Sequence, residues 1–345
     1  MRSVVVHRAG GYGQLKLEEH PTPSPGPGEV LVATRAIGVN FADCIVRMGL
    51  YKSAKEYVGW PITPGFDFAG VVTAVGDGVT LHAPGDEVLG VTRFGAYSTH
   101  VVVPQDQLIP RPSALSMAQA GAFPTVFLTA WYALHRLGAV SEGDSVLVHS
   151  AAGGVGGALV QLGKRAGATV VGVVGGAHKV ATAEEHGADC VIDRSSEDLW
   201  TRAKQAAPDG YRIVLDANGV ATLKHSYRHL APEGRLVIYG FHTMFSRRPS
   251  LGIPNPFKLA WGWLRTPRFD PLDLTSANKS VMGFNLSFLF HRKDVLRAAL
   301  TDLLAGLDAG DLRPPPVQCF ALDAVADAHR AIESGQTVGK LVLVP

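Results

Sequence analysis

The chain has 345 residues, 46% hydrophobic and 18% charged, with 32 Lys and Arg against 30 Asp and Glu, for a formal net charge of +2. That length predicts about two domains with substantial cores, and the even charge balance offers no basic stripe for nucleic acid. The scattered Cys44, Cys190 and Cys319 form no C-x-x-C pair, which points to reduced thiols in the cytoplasm rather than a disulfide framework.

In chain order, Met1-Arg2-Ser3-Val4-Val5-Val6-His7 is too short an apolar run for a signal peptide, and no later segment approaches the roughly 20 apolar residues that span a bilayer. Short β-rich runs such as Val30–Thr34 and Ala69–Gly76 alternate with Pro and Gly clusters such as residues 21–28, a β-barrel pattern. Helical patterns begin at Ser116, an N-cap followed by helix formers. Val146-Leu147-Val148-His149 then runs into the glycine-rich turn Ser150-Ala151-Ala152-Gly153-Gly154-Val155-Gly156-Gly157 and a helix to Ala166. Gly153 is expected to let the chain turn and approach a dinucleotide pyrophosphate, and Gly156 to let the helix pack on the strand, with helix N–H groups facing the anion. Ala151 stands where the strict fingerprint has its first glycine, so the surrounding alternation carries the reading.

That alternation predicts further strands at Thr169–Val174, Cys190–Asp193, Arg212–Asp216, Arg235–Tyr239 and Lys279–Phe284, a parallel sheet covered on both faces. Gln318–Ala321 and Lys340–Val344 return to strands. The expected organisation is a catalytic domain made of residues 1–122 and 289–345, interrupted by a nucleotide-binding domain at 123–288 that carries an insertion at 245–278.

The motifs Gly26-x-Gly28-Glu29-Val30-Leu31-Val32, Gly38-Val39-Asn40-Phe41-Ala42-Asp43, Pro64-Gly65-Phe66-Asp67-Phe68-Ala69-Gly70 and Gly85-Asp86-Glu87-Val88 resemble the medium-chain dehydrogenase/reductase superfamily. Ala151-Ala152-Gly153-Gly154-Val155-Gly156 resembles its quinone oxidoreductase branch, and Gly49-Leu50-Tyr51 with the long segment 245–280 is similar to relatives of the synaptic vesicle membrane (vesicle amine transport) protein. The resemblance implies an α/β chain, a GroES-like β-barrel catalytic domain plus a Rossmann doubly wound, six-stranded parallel sheet. Zinc-dependent members carry a cysteine ligand where Asn40 stands and a histidine where Phe66 stands, so the resemblance implies chemistry without zinc, because neither an amide nor a phenyl ring replaces those ligands. Cys44 reads as a small buried hydrophobe. Asn40 is expected to contact the nicotinamide or the substrate. Tyr51 is expected to line the pocket or pack on the barrel, and Thr129 to lie near the nicotinamide carboxamide or bond its own backbone. Asp43 and Asp67 could cap turns.

Cofactor choice follows from charge. An NAD site places Asp or Glu about 20 residues past the glycine turn, but this chain has Gly175-Gly176-Ala177-His178-Lys179 there. Lys179 matches a lysine that meets the 2′-phosphate in NADPH-dependent relatives, and Arg194 could stack on adenine or pair with that phosphate. Ala152, Gly153, Gly154, Val155, Gly156, Asn218, Gly219, Gly240, Phe241, Gly283, Phe284 and Asn285 are further expected cofactor contacts at strand ends or the helix start. In the insertion, Phe257, Trp261 and Trp263 lie among Arg247, Arg248, Lys258, Arg265 and Arg268. The segment reads as a lid or interface helix, with contact to an anionic membrane surface as the alternative. The expected activity is an NADPH-dependent reductase of quinones or α,β-unsaturated carbonyls, working as a homodimer. The alternatives are a discrete enoyl-thioester reductase and a non-catalytic NADPH-binding, membrane-associated protein.

Overall fold

The computed structural model describes residues 1–244 and 256–345. The chain divides into two compact units, one built mainly from Met1–Val126 and Pro314–Pro345, the other from Phe127–Ser246 and Pro254–Arg313. The return to the first unit thus comes at Pro314, whereas the sequence suggested residue 289. The helix Lys293–Asp308 goes with the second unit, where Asp302 accepts a hydrogen bond from Trp131 Nε1 at 2.8 Å and pairs with Arg165 at 2.9 Å.

The first unit is a seven-stranded, largely antiparallel sheet around the long strand Glu29–Val39, with a small sheet of Arg2–Val5 and Lys16–Glu19. Inward residues Val30, Val32, Ile37, Phe68, Val88 and Leu343 are almost fully buried together, the expected consequence of period-two alternation. Glu29–Val39 pairs with Asp67–Val75 on one side and with Lys340–Val344 on the other. Both partners run antiparallel, with Ile37 opposite Phe68 and Val39 opposite Leu341. Asp67 and Lys340, each one residue earlier, therefore flank the point where the long strand gives way to Asn40 and the helix Phe41–Arg47.

The second unit is a six-stranded parallel sheet in the order Cys190–Asp193, Thr169–Val174, Ser145–His149, Tyr211–Asp216, Leu230–Ile238, Ser280–Gly283. This is the doubly wound Rossmann order, reversing between Ser145–His149 and Tyr211–Asp216. The expected sixth strand forms at Ser280–Gly283 and is an edge of the sheet.

Of the insertion, residues 245–255, including Arg247 and Arg248, lie outside the described residues. The remainder forms helices Pro256–Arg265 and Pro271–Ala277, the second capped by Asp270 and ended by Asn278 in the left-handed conformation. Phe257, Trp261, Trp263 and Leu264 on the first helix are all exposed, and Arg265 lies over the Trp261 ring. Among the described residues no helix is long and apolar enough to cross a membrane.

Candidate functional site

At the reversal point of the parallel sheet, the chain leaves Ser145–His149 through Ser150, which takes a left-handed φ of 59°. Gly153 is extended, with φ −85° and ψ 172°, so Ser150 and not Gly153 makes the turn. Gly153 is the N-cap of helix Gly154–Arg165, and no side chain caps it. The first helix N–H groups, around the half-buried Gly153, Gly154 and Val155, are therefore available to an anion. A Cβ on Gly156 would lie 2.0 Å from the Ser150 carbonyl oxygen. The glycine is required by the turn itself, where the sequence suggested helix–strand packing. Ala151 is fully buried, and its methyl lies 2.9 Å from where a Cβ on Gly172 would be, so a strand glycine makes room for the alanine. Ala152 is buried behind the turn.

The neighbouring strand ends supply the rest of this surface. Thr169–Val174 ends in Gly175 and Gly176, and the Arg194 guanidinium stands 3.6 Å from a Cβ built on Gly175. The nearby Asp193 carboxylate accepts from both the backbone N and the Oγ of Ser195. Lys179, half-buried, ends the short helical turn Ala177–Lys179. The Arg194 guanidinium thus stands beside the end of the second strand, and Lys179 follows it in the next turn of the chain. After Tyr211–Asp216, Asp216 Oδ1 accepts from the backbone N–H groups of Asn218 and Gly219 at 2.8 and 3.1 Å. Gly240 packs on Ala217, and Phe241 packs on Gly219 with its ring partly exposed. Phe284 follows Gly283 and packs on Tyr132, with ring centroids 4.8 Å apart. The Asn285 carbonyl accepts from the Ser287 N and Oγ, so that side chain caps its own turn. Thr129 is half-buried in helix Pro124–Trp131.

A buried trio behind the turn was not legible in the sequence. Ser226 Oγ donates to Asp216 Oδ2 at 2.8 Å and lies 3.1 Å from His149 Nε2. Burial lowers the His149 pKa while the Asp216 charge opposes the shift. The carboxylate that shapes the Asn218 loop is thereby tied to the residue preceding Ser150.

In the first unit, Asn40 is the N-cap of helix Phe41–Arg47, with Asp43 closing a capping box. Its side chain is held twice: Nδ2 donates to Asp67 Oδ1 at 2.7 Å, and Oδ1 accepts from Lys340 Nζ at 2.6 Å. Asp67, for which a turn cap was one reading, is a fully buried partner of Lys340, because strand register sets the two beside Asn40. Asp43 caps as expected but also accepts from Gly65 N and from Tyr97 Oη. Burial pushes its pKa up to about 7, against the opposing N–H groups of Asn40 and Gly65. Tyr51 packs edge-on against Phe66 and Phe94, at 5.7 and 6.3 Å between centroids. The phenyl ring at the position of a zinc-ligand histidine thus belongs to an aromatic cluster.

Among the described residues one set could be considered for a metal: buried Cys44, His329 and Glu333. A cation already fills it. Arg47, fully buried, donates to Glu333 Oε1 at 2.8 Å and approaches His329 Nδ1 at 3.5 Å, with its guanidinium 4.4 Å from the Tyr12 ring centroid. Tyr12 Oη donates to the other Glu333 oxygen at 2.8 Å. Because Arg47 can only donate, His329 Nδ1 accepts, leaving Nε2–H to face Tyr97 Oη at 3.2 Å. Burial and Arg47 hold the His329 pKa well below the ordinary range, and burial raises that of Cys44. A second cation would meet the guanidinium, so this donor set does not fit zinc. Cys44 is buried as expected, but among polar groups.

The alcohol dehydrogenase GroES-like domain family matches residues 26–113, and the zinc-binding dehydrogenase family matches residues 186–343. The synaptic vesicle membrane protein VAT-1 homolog of Rattus norvegicus is 35% identical over 347 residues, covering 100% of this chain and 84% of the relative. A 2-haloacrylate reductase from a Burkholderia species is 31% identical, covering 99% of this chain and 98% of its own. Escherichia coli quinone oxidoreductase complexed with NADPH superposes with a TM-score of 0.86 at 28% identity, covering 100% of both chains.

Proposed function

Because the chain belongs to the oxidoreductases of the medium-chain dehydrogenase/reductase superfamily, we propose that it is an NADPH-dependent reductase of quinones or α,β-unsaturated carbonyls that works without zinc. The observation that carries this reading is the uncapped helix start at Gly153, with the Arg194 guanidinium beside Gly175 at the end of the neighbouring strand; the reading adds Lys179, in the turn that follows, as the second cation for the phosphate. The NADPH bound by the E. coli relative supports it.

NADPH supplies the hydride, which an enone or quinone accepts because its carbonyl already draws electrons from the acceptor carbon. The helix N–H groups from Gly154 to Gly156 bind the pyrophosphate, helped by the macrodipole. Lys179 and Arg194 neutralise the 2′-phosphate by charge-assisted hydrogen bonds. Asn218, Gly240, Phe241, Gly283 and Phe284 line the remaining strand-end surface, while the Asn285 carbonyl stays with its own turn. Asn40 contacts the nicotinamide or the acceptor, Tyr51 donates from its hydroxyl to the acceptor carbonyl, and Thr129 lies near the nicotinamide carboxamide. Solvent supplies the proton. With an electron-poor acceptor, positioning and modest hydrogen bonding carry the chemistry and no Lewis acid is needed. The reading includes a cytoplasmic homodimer that pairs through the edge strand Ser280–Gly283. The insertion helix Pro256–Arg265 covers the acceptor pocket or an interface.

The test is NADPH oxidation by the purified protein across quinones, enones and enoyl thioesters. Turnover on quinones or enones is expected. Turnover confined to thioesters would move the protein to the enoyl reductases, and saturable NADPH binding without any turnover would make it a non-catalytic binder.

A further inference from the structure

Asn40 lies between two buried opposite charges. Lys340 Nζ donates to its Oδ1 at 2.6 Å, its Nδ2 donates to Asp67 Oδ1 at 2.7 Å, and Lys340 Nζ lies 3.3 Å from Asp67 Oδ2. The lysine is 4% exposed, the aspartate 0% and the asparagine 8%. The backbone builds this arrangement from three strands: Val39 is opposite Leu341 and Ile37 opposite Phe68, so Lys340 and Asp67 converge where the central strand ends. A Cβ on Gly38 would lie 2.4 Å from Asp67 Oδ1, so glycine is needed there to admit the carboxylate. Thr125 N–H donates to Asp67 Oδ2 at 3.2 Å, fixing the carboxylate further.

An ammonium can only donate and a carboxylate can only accept. The amide can therefore sit only one way round, with oxygen to Lys340 and nitrogen to Asp67. The two charges polarise it in the same sense: the cation draws electron density onto Oδ1, and the anion stabilises the positive nitrogen end. Hydrogen bonds in such a chain strengthen one another. The two contacts use one N–H and one oxygen lone pair, and the amide's second N–H is the donor left over. We propose that Lys340 and Asp67 are positioning residues for the reductase reaction, locking the Asn40 amide in one orientation and strengthening its second N–H as a donor to a ligand carbonyl oxygen. The inference rests on the reading of Asn40 as a residue that meets the nicotinamide or the acceptor.

The test is a kinetic double-mutant cycle on the NADPH-loaded enzyme with Asn40→Ala, Lys340→Met and the double variant. Loss of a preorganised donor predicts at least a tenfold fall in kcat/KM for each single variant. If Lys340 acts through Asn40, the double variant falls no more than about threefold below Asn40→Ala. NADPH dissociation constants, measured by fluorescence, identify the carbonyl. A parallel rise points to the nicotinamide carboxamide, and an unchanged value with a raised acceptor KM or lowered kcat points to the acceptor. Losses that multiply would overturn the proposal and leave the functional reading standing, whereas Asn40→Ala at the wild-type rate would overturn the reading of Asn40 as a ligand contact and the proposal with it. Lys340→Met strands the Asp67 charge, so Lys340→Met with Asp67→Asn, which removes both charges, serves as the second variant and must show the same non-additivity. Lys340→Arg should restore most of the rate. In the ligand-free protein, selectively labelled Asn40 should show its two side-chain amide protons widely separated, and Lys340→Met should bring them together; unchanged resonances would overturn the polarisation.

Discussion

Replacing Glu333 with alanine tests whether Arg47 is the resident cation of the Cys44–His329–Glu333 cluster. Both charged groups are buried, at 0% and 3% side-chain exposure, and the pair is 2.8 Å apart. Removing one partner of such a pair leaves an uncompensated charge and costs about 3–5 kcal/mol. Tyr12 Oη also loses its acceptor, adding about 1 kcal/mol. Tyr12 stays within cation–π reach of the guanidinium in wild type and variant alike, so that contact offsets nothing. A total near 4–6 kcal/mol should lower the melting temperature by roughly 8–24 °C at about 2–4 °C per kcal/mol. Glu333→Gln, which keeps shape and one acceptor, should cost about half as much. Arg47→Met with Glu333→Leu removes both charges at similar volume and should recover most of the loss. Thermal melts followed by circular dichroism read all three. A loss below about 1 kcal/mol for Glu333→Ala would mean that the pair is solvated. A double variant as unstable as the single would place the cost in packing, and a melting temperature that rises with added Zn²⁺ would refute Arg47 as the occupant.

Lys179→Ala should weaken NADPH by about 10- to 100-fold, the value of a charge-assisted hydrogen bond, and leave NADH nearly unchanged; equal losses measured by calorimetry would contradict the phosphate assignment. Gly156→Ala must move either Ser150 or the helix start by more than an ångström, since its Cβ would lie 2.0 Å from the Ser150 oxygen. It should cost about 1–3 kcal/mol and at least tenfold in NADPH affinity, whereas Gly153→Ala, with its Cβ 3.3 Å from that oxygen and an extended backbone, should melt like wild type. Asp43 rises from an ordinary value of 3.8 to about 7 on folding. Well below pH 3.8 both states hold the proton; as pH rises from there toward 7 only the unfolded chain releases it, so this group's contribution to stability falls across that window and then levels off, by about 4 kcal/mol in all. Melting temperatures of wild type and Asp43→Asn should therefore diverge against wild type as pH rises from 4 to 7, and the opposite trend would contradict a raised pKa.

The nucleotide-binding sheet was legible because its central strands, Ser145–His149, Thr169–Val174 and Tyr211–Asp216, are buried and largely apolar runs between helical stretches. Lys179 and the missing carboxylate could be read because they sit at a fixed distance along the chain from the glycine turn. Asn40 could be named for the same local reason, but its partners could not. Lys340 is 300 residues away in sequence and reaches Asn40 only through the register of three strands. Glu333 meets Arg47 across 286 residues, and Ser226 meets His149 across 77. The turn at Ser150 was hidden for another reason: a left-handed serine ahead of four glycines draws no notice, since glycine is the residue that usually adopts that conformation.

The central claim is hydride transfer from NADPH to an electron-poor carbon without a metal. The direct measurement uses chelator-treated protein with its metal content determined, NADPH deuterated at the transferred position, and an enone that turns over. Mass spectrometry and NMR of the product should find the deuterium on the β-carbon, with turnover unaffected by chelation. Deuterium absent from that carbon, or activity that vanishes with chelation and returns with Zn²⁺, would contradict the account.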